Sequence, residues 1–403
     1  MAPLLVRSRL LRTTVIIVMI WAIRGPAWSQ SPTVTIVLTG QSMIRSDLRV
    51  SAPSAVPVIT SLLKGADVTF TNFEGTVAEP GQPNQNVPLQ GRGFVAPPEA
   101  VEALKALGFN LLALSNNHSA DLKIPGIQNT LRAVGRVNLV HAGIGNTINE
   151  AVAPGYLSTP KGTVALVAMA SGLIPPGGSA TASRPGVDEL RVENGNKPNE
   201  EDARHILDNI RDAAKKADLV IVYHHNHVFD KPFASIFEEG MPERLRPPDW
   251  LKKWTHAEID AGADVVVMHG APLLHGIEIY KGRPIFYDLG NFIFNVPPPL
   301  WYIQEPLAWE SVVPLVEFQG KHLRSIRLRP IVMNVLGKGQ PDAQDLHTNN
   351  LFLQTRGLPQ LATGEKASYI LDRIAEYSRP FGTVVQVKAD TAEIHLKAED
   401  TQR

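Results

Sequence analysis

The sequence predicts an α/β fold with a β-rich carboxyl-terminal part. The first observation is the order of the elements, because short aliphatic strands alternate with amphipathic helices up to about residue 276. The second is that five of these strands run directly into polar residues, as strands do when their carboxyl ends carry a site. The third is that strands without intervening helices follow from residue 277 to about residue 332.

The first 29 residues differ from the rest of the chain. Arg7, Arg9 and Arg12 precede an apolar run from Val15 to Ile23, and Ala27-Trp28-Ser29 has the small-x-small pattern of a cleavage signal. Because the run is short for a membrane span, we expect a secretory signal peptide over residues 1–29 and a secreted or periplasmic mature protein. An uncleaved membrane anchor is the alternative.

The composition is that of a globular protein and sets limits on its partners. Hydrophobic residues make up 44% of the chain and charged residues 19%. Removal of the four arginines of the signal segment from the 39 basic residues leaves 35 against 39 acidic residues, a net charge of −4. Without a basic surplus, nothing indicates a nucleic-acid partner. Because the chain has no cysteine, metal ligands must come from histidine, asparagine and carboxylates.

The first half of the chain contains three predicted strands. β-Branched or aliphatic runs predict strands at Thr33–Leu38, Asp67–Thr71 and Leu111–Leu114. Helical spacing of apolar residues predicts helices from Pro98 to Gly108 and around Ile127–Gly135. Residues 80–98 are rich in proline, glycine and asparagine and predict a surface loop.

The second half repeats this alternation and then changes character. Strands are predicted at Gly162–Ala170, Leu219–Tyr223 and Asp264–Met268, with helices at Asn199–Ala217 and Asp249–Gly262 between them. A long loop is predicted between residues 171 and 200. The β-rich part comprises a hairpin at 277–287 and two strands near 312–318 and 323–332.

The tail predicts an accessory segment. After a loop that begins near residue 337, we expect a helix over 366–377 and a weak hairpin over 384–396. The predicted domain organisation is therefore a signal peptide at 1–29, a main domain at 33–335 and an accessory extension at 336–403.

Polar residues that follow the strands are the candidate site. They are Gln41, Asn72, Glu74, Asn116, Asn117, His118, Asp121, His225, His227, His269 and, less clearly, His275. Taken singly, each has an ordinary alternative, such as a solvated cap, an Asx turn, a surface loop or a packed histidine. Together, a carboxylate, an amide and two imidazoles at separate strand ends can form a mononuclear or binuclear metal centre. A histidine that does not bind the metal could protonate a leaving group.

Several motifs occur in an order that carries a family resemblance over about residues 33–295. They are Ala66-Asp67, Asn72-Phe73-Glu74, Ser115–His118 with Asp121, Ala217–Val222, Asp260–Val266, and Gly276–Gly282 with Tyr287–Phe294. In this order they resemble the CapA family of poly-γ-glutamate capsule proteins, whose fold is similar to that of the calcineurin-like metallophosphatases. The resemblance implies a four-layer sandwich of two facing sheets flanked by helices.

The resemblance also implies a role for each matching site residue. One divalent ion, with manganese, zinc and iron as the alternatives, would be bound by Glu74, Asn117, His225 and His269. His118 would protonate the leaving group, and Asp121 would orient His118. The expected partners are an anionic polymer or a small-molecule substrate and the capsule-export machinery, with membrane contact only if the signal segment is uncleaved.

Three motifs depart from the family pattern. The family's His-Trp-Gly is here His225-Asn226-His227, and the two other departures each remove an expected metal ligand. Gln41 stands where an aspartate normally follows Gly40, and Pro272 stands where the closing motif has its second histidine. A neutral amide is a poor substitute for a carboxylate beside a dication. We therefore expect one metal site, or a second site rebuilt with His227 or His275.

The function implied is that of an exported CapA-like protein of capsule or exopolymer metabolism, with a metal-dependent hydrolase site. One alternative is a non-catalytic polymer-binding or export-assembly protein with a degenerate metal site. Another is an exported phosphoesterase that acts on small metabolites. Fold similarity alone does not decide among these three functions.

Overall fold

The computed structural model describes residues 31–81, 93–233, 245–296, 306–339 and 350–397. The predicted signal peptide and most of the loop predicted at 80–98 lie outside these ranges. Within them, no helix combines the length and the apolar character needed to cross a bilayer.

The strands alternate with helices as predicted. The strands are β1 (Thr33–Leu38), β2 (Gln41–Met43), β3 (Val68–Asn72), β4 (Thr76–Val77), β5 (Val95–Ala96), β6 (Leu111–Ala113), β7 (Val140–Ala142), β8 (Ile144–Gly145), β9 (Gly155–Thr159), β10 (Gly162–Ser171), β11 (Gly186–Val187), β12 (Val192–Glu193), β13 (Lys197–Pro198), β14 (Leu219–Asn226), β15 (Val265–His269), β16 (Ile277–Tyr280), β17 (Arg283–Phe286), β18 (Asn291–Phe294), β19 (Glu310–Gln319), β20 (His322–Met333), β21 (Pro359–Leu361), β22 (Val384–Lys388) and β23 (Thr391–His395). The α-helices are α1 (Leu48–Ser51), α2 (Val56–Leu63), α3 (Pro98–Leu107), α4 (Lys123–Arg136), α5 (Ile148–Ala151), α6 (Glu200–Lys216), α7 (Asp249–Ala261), α8 (Asn350–Thr355) and α9 (Gly364–Ser378).

Two large sheets organise these strands. In the first, the order is β22-β23-β20-β19-β1-β3-β6-β7, with β21 beside β20. In the second, the order is β16-β17-β15-β14-β10-β9. β1, β3, β6 and β7 are mutually parallel, as are β10, β14, β15 and β17. The polar residues that follow these strands are therefore concentrated at the carboxyl edge of each sheet.

The three largest hydrophobic clusters among the described residues show the layers. An inner cluster contains residues of both sheets, such as Phe70 of the first and Ile221 of the second, so the two sheets face each other. A second cluster packs α2, α3 and α4 on the outer face of the first sheet. A third packs α6 and α7 on the outer face of the second sheet. The predicted two-sheet α/β sandwich flanked by helices is confirmed.

Local sequence signals explain where the main helices begin and end. The Asn199 side chain accepts hydrogen bonds from the backbone N–H groups of Glu201 and Asp202 and so caps α6, as predicted. Gly108 ends α3 in the left-handed conformation at φ 112°, which a residue with a β-carbon adopts only with strain.

Strand β14 is longer than the sequence predicts. The apolar run ends at Tyr223, but the strand continues to Asn226, because hydrogen bonding to β10 and β15 on both sides holds the following histidines in the ladder. The loop predicted at 171–200 contains the short strands β11, β12 and β13, which have too few residues to show a period.

The tail forms the helix and the hairpin that its sequence predicts. The helix is α9, and its Ile370 and Ile374 belong to the inner core. The hairpin is β22–β23, and β23 pairs with β20 of the first sheet. Residues beyond 336 thus extend the first sheet.

Glu258 on the buried face of α7 gives a stability prediction. Burial raises the pKa of its carboxyl to about 8 from an ordinary value near 4.5. Between these values the folded protein keeps a proton that the unfolded chain releases, so stability falls as the pH rises. We expect Glu258→Gln to make the dependence of the unfolding free energy on pH shallower by about 1.4 kcal/mol per pH unit between pH 5 and pH 7.

Urea denaturation at pH 5, 6 and 7 measures this dependence. Glu376→Gln, at an exposed position of α9, is the matched control and should follow the wild type. Parallel wild-type and Glu258→Gln curves would show that the buried carboxyl does not hold its proton.

Candidate metal centre

The candidate site lies at the carboxyl edges of both sheets. His225 on β14 and His269 at the end of β15 are direct partners in the ladder, so their side chains point to the same face. Tyr223 and Val267, each two residues earlier, belong to the inner core, which places both histidines on the face turned toward the first sheet.

Glu74, His225 and His227 form the closest group of metal-ligating side chains. One ligand atom from each lies within 4.8 Å of the others. His225 Nε2 is 3.0 Å from His227 Nε2 and 3.9 Å from Glu74 Oε1. Asn117 adds a fourth donor, because its Oδ1 is 2.9 Å from His225 Nε2. The structure therefore brings together three of the four predicted ligands of one metal, with His227 beside them.

His269, the fourth predicted ligand, is buried but is not in this close group. Its Nε2 lies 3.1 Å from the carbonyl oxygen of Thr39 at the end of β1. Since a carbonyl only accepts, Nε2 carries the proton and Nδ1 presents its lone pair. Nδ1 has no hydrogen-bond partner among the described residues. This tautomer, fixed by a backbone carbonyl, is typical of a histidine that binds a metal.

Unpartnered polar atoms show that the donor set fits a cation. Glu74 is only 4% exposed, and its Oε2 has no hydrogen-bond partner in the described part of the chain; the same holds for His227 Nδ1. Buried polar atoms of this kind are costly unless another group satisfies them. A carboxylate, an amide oxygen and imidazoles are together suited to a divalent ion such as zinc or manganese.

The electrostatics of the group also favour metal binding. Burial raises the pKa of Glu74 to about 7; the His118 charge opposes this shift and the Asp121 charge adds to it. Burial lowers the pKa of His227 and of His269 to about 3, and it lowers that of His225 well below its ordinary value. The imidazoles are therefore neutral near pH 7, which is the form that binds metals.

His118 and Asp121 form a second pair at the side of this group. His118 Nδ1 is 2.8 Å from Asp121 Oδ2, and His118 Nε2 is 3.9 Å from Glu74 Oε1. The backbone N–H of Phe94 also donates to Asp121 Oδ2, at 2.6 Å. Burial alone would lower the pKa of His118, but the hydrogen bond and charge of Asp121, with the charge of Glu74, raise it overall. A histidine held by a carboxylate in this way can act as a proton donor.

The remaining predicted residues make hydrogen bonds that do not involve the close group. Asn116 Nδ2 donates to Asn72 Oδ1 at 3.1 Å, and Asn116 Oδ1 accepts from the His118 backbone N–H at 3.0 Å. Gln41 Nε2 donates to Asn291 Oδ1 at 2.9 Å, and Gln41 Oε1 has no partner among the described residues. His275 is buried and outside the close group, and its backbone N–H donates to the Asp288 carbonyl.

Sequence reasoning missed two residues that orient the site. The Tyr223 hydroxyl is 3.0 Å from His225 Nδ1, the ring nitrogen opposite the metal group. The Asp288 carboxylate accepts from the backbone N–H groups of Ala271 and Gly290, at 2.8 and 2.6 Å, and so joins the closing motif to the segment before β18. The period of two along β14, which puts Tyr223 on the face of His225, was the available signal.

Comparisons with known proteins agree with the motif order. The family model described as bacterial capsule synthesis protein PGA_cap matches residues 35–296. An uncharacterized protein of Sinorhizobium fredii is 29% identical, over 90% of this chain and 93% of its own length. The PGA biosynthesis protein CapA of Bacillus subtilis is 26% identical, and the alignment covers 64% of this chain and 61% of that protein.

A solved structure of a hypothetical protein from Thermus thermophilus is similar with a TM-score of 0.43 and 13% identity, covering 74% of this chain and 98% of that one. The family match spans more than half of the chain and includes Glu74, Asn117, His225 and His269. The resemblance predicted from the motifs is confirmed, and the protein belongs to the PGA_cap family of bacterial capsule synthesis proteins.

Proposed function

We propose that this protein is exported and acts in the synthesis or processing of a capsular or other extracellular polymer of poly-γ-glutamate type, with a metal-dependent hydrolytic site. The observation that carries the proposal is the convergence of Glu74, Asn117, His225 and His227, with the His118–Asp121 pair 3.9 Å from Glu74. The Bacillus subtilis relative's printed name, PGA biosynthesis protein CapA, supports the polymer class. The signal segment predicted over residues 1–29 supports export.

Each residue of the site has a role in this proposal. Glu74, Asn117, His225 and His227 would hold the ion, and the lone pair on His269 Nδ1 is a further donor. A bound divalent ion would act as a Lewis acid that polarises an acyl or phosphoryl oxygen, and it would lower the pKa of a bound water molecule.

The chain itself supplies proton transfer and orientation. Asp121 Oδ2 accepts from His118 Nδ1–H; when His118 carries protons on both ring nitrogens, its Nε2–H faces Glu74 and can be donated to a leaving group. Asp121 is itself fixed by the Phe94 N–H. Tyr223 orients His225 from the opposite side of the ring.

A second candidate function is a polymer-binding or export-assembly protein without catalysis. The observation in its favour concerns Gln41 and Pro272, the two positions that lack the metal ligand expected from the family. Gln41 donates its amide N–H to Asn291 Oδ1. Pro272 contributes no ligand atom at the position where the family has a histidine. Metal binding and turnover measured together separate the two functions.

The first prediction concerns metal content. We expect the mature protein, purified without chelator and reloaded with manganese or zinc, to bind about one equivalent that His225→Ala and His227→Ala lose, because each variant removes a ligand from a buried group. Inductively coupled plasma mass spectrometry measures the content.

His205→Ala, at an exposed position of α6, is the matched control and should bind like the wild type. Wild-type protein that stays without metal after reloading would contradict the hydrolytic proposal and favour the binding function.

A second prediction concerns Tyr223. Tyr223→Phe keeps the ring and removes the hydroxyl that contacts His225 Nδ1, so we expect the metal dissociation constant to rise by roughly 10–100-fold with the fold intact. Competition with a chromogenic chelator measures the constant, and circular dichroism checks folding. An unchanged dissociation constant would show that the hydroxyl does not support the ligand.

A third prediction concerns turnover. We expect His118→Ala to lower kcat on a γ-linked glutamate polymer by roughly 10²–10⁴-fold, because the variant loses the proton donor, while metal content stays at the wild-type value. Asp121→Asn should have a smaller effect in the same direction. Equal kcat values for wild type and His118→Ala would exclude His118 as the proton donor. If the wild type turned over a generic phosphodiester but not the glutamate polymer, the phosphoesterase function would be favoured instead.

A further inference from the structure

Arg45 occupies a fixed position just beyond β2, beside the candidate metal centre. Its Nε donates to the Asn295 carbonyl at 2.8 Å, and its backbone N–H donates to Asn295 Oδ1 at 3.2 Å. Its guanidinium carbon lies 4.1 Å from the centre of the Phe94 ring. The side chain is half-buried. The Nε hydrogen bond and the cation–π contact therefore orient the guanidinium, and the backbone hydrogen bond fixes the residue that carries it.

Asn295, which holds Arg45, is itself rigidly held. It is fully buried, its backbone N–H donates to the Met43 carbonyl at 3.1 Å, and its Nδ2 donates to the Arg356 carbonyl at 2.6 Å. The segment is thus joined to β2 on one side and to the residues after α8 on the other. Little side-chain entropy remains for Arg45 to lose when it binds a ligand.

Phe94 links Arg45 to the proton-donating pair. Its ring centre is 6.3 Å from that of His118, and its backbone N–H donates to the same Asp121 oxygen that His118 contacts. Arg45 and His118 are therefore both neighbours of the Phe94 ring. In agreement, its charge acts on the pKa of His118 and lowers it, after the larger effects of burial and of the two carboxylates.

The fixed charges around the site pose a problem for an anionic substrate. Asp121 and Glu74 both present carboxyl groups toward His118. Away from the proposed metal ion, a polymer that carries a carboxylate on each residue would be repelled at the Asp121 side unless a second cation faced it there.

We propose that Arg45 is the anion anchor of the site and binds a carboxylate or phosphate oxyanion of the substrate beside His118. This inference rests on the proposed function and names the group that selects an anionic substrate. An arginine suits the role because its planar fork can make two charge-assisted hydrogen bonds to one oxyanion, which a lysine cannot.

Isothermal titration calorimetry on the full mature chain loaded with zinc tests the anchor. The probes are a tetramer of γ-linked glutamate and, separately, inorganic phosphate. We expect Arg45→Gln to raise the dissociation constant at least tenfold, and Arg45→Lys to fall between Gln and wild type, with zinc content unchanged. Arg204→Gln, at an exposed position of α6, is the control and should bind like the wild type.

Each outcome decides the matter. Loss with the tetramer alone supports a carboxylate-bearing substrate, and loss with phosphate supports a phosphate-bearing one. Wild-type affinity for both probes in folded Arg45→Gln and Arg45→Lys overturns the inference, as does a wild type that binds neither probe. Arg45-dependent binding without any turnover of the tetramer would overturn the proposed hydrolysis and leave the anchor standing.

Discussion

The contact between one buried carboxylate, Glu74, and the neutral imidazoles of His225 and His227 is the constraint on which the site depends. A carboxylate with 4% exposure and an unpartnered oxygen is stable only if it takes up a proton or faces a cation. Burial has already moved its pKa to about 7, so the group is poised between these two states. The inner core positions the strands that meet at this edge. The fold itself therefore determines which groups surround the Glu74 carboxylate.

Much of the fold could be predicted because its signals are local. The apolar strands, the Asn199 cap and the Gly108 stop each depend on neighbours in sequence, and the structure shows them at those positions. The pairing of β23 with β20, and the continuation of β14 through its histidines, depend on strands far apart in the chain. Periodicity within one segment carries no information about such partners.

The site residues likewise fall into those that local sequence signals predict and those whose contacts only the three-dimensional structure shows. Glu74, Asn117 and His225 could be proposed because each follows an apolar strand, and the structure places them together. The spacing of two predicts that His225 and His227 face the same side, and the structure places their Nε2 atoms 3.0 Å apart. The sequence could not show that His269 contacts the Thr39 carbonyl and lies outside the close group. The sequence also could not show the amide network in which Gln41 donates to Asn291 and Asn291 donates to the Ala308 carbonyl, at the position where the family resemblance leads us to expect a carboxylate. This network buries no charge, so it has no carboxylate to attract a second cation.

Anomalous diffraction from crystals of the mature protein grown with zinc, and separately with manganese, tests the central claim most directly. The account predicts one strong anomalous peak within bonding distance, about 2–2.3 Å, of Glu74, His225 and His227. A peak elsewhere, or none with these side chains in direct contact with one another, would contradict it. The protein would then be a family member that has kept the strand-edge residues and lost the metal.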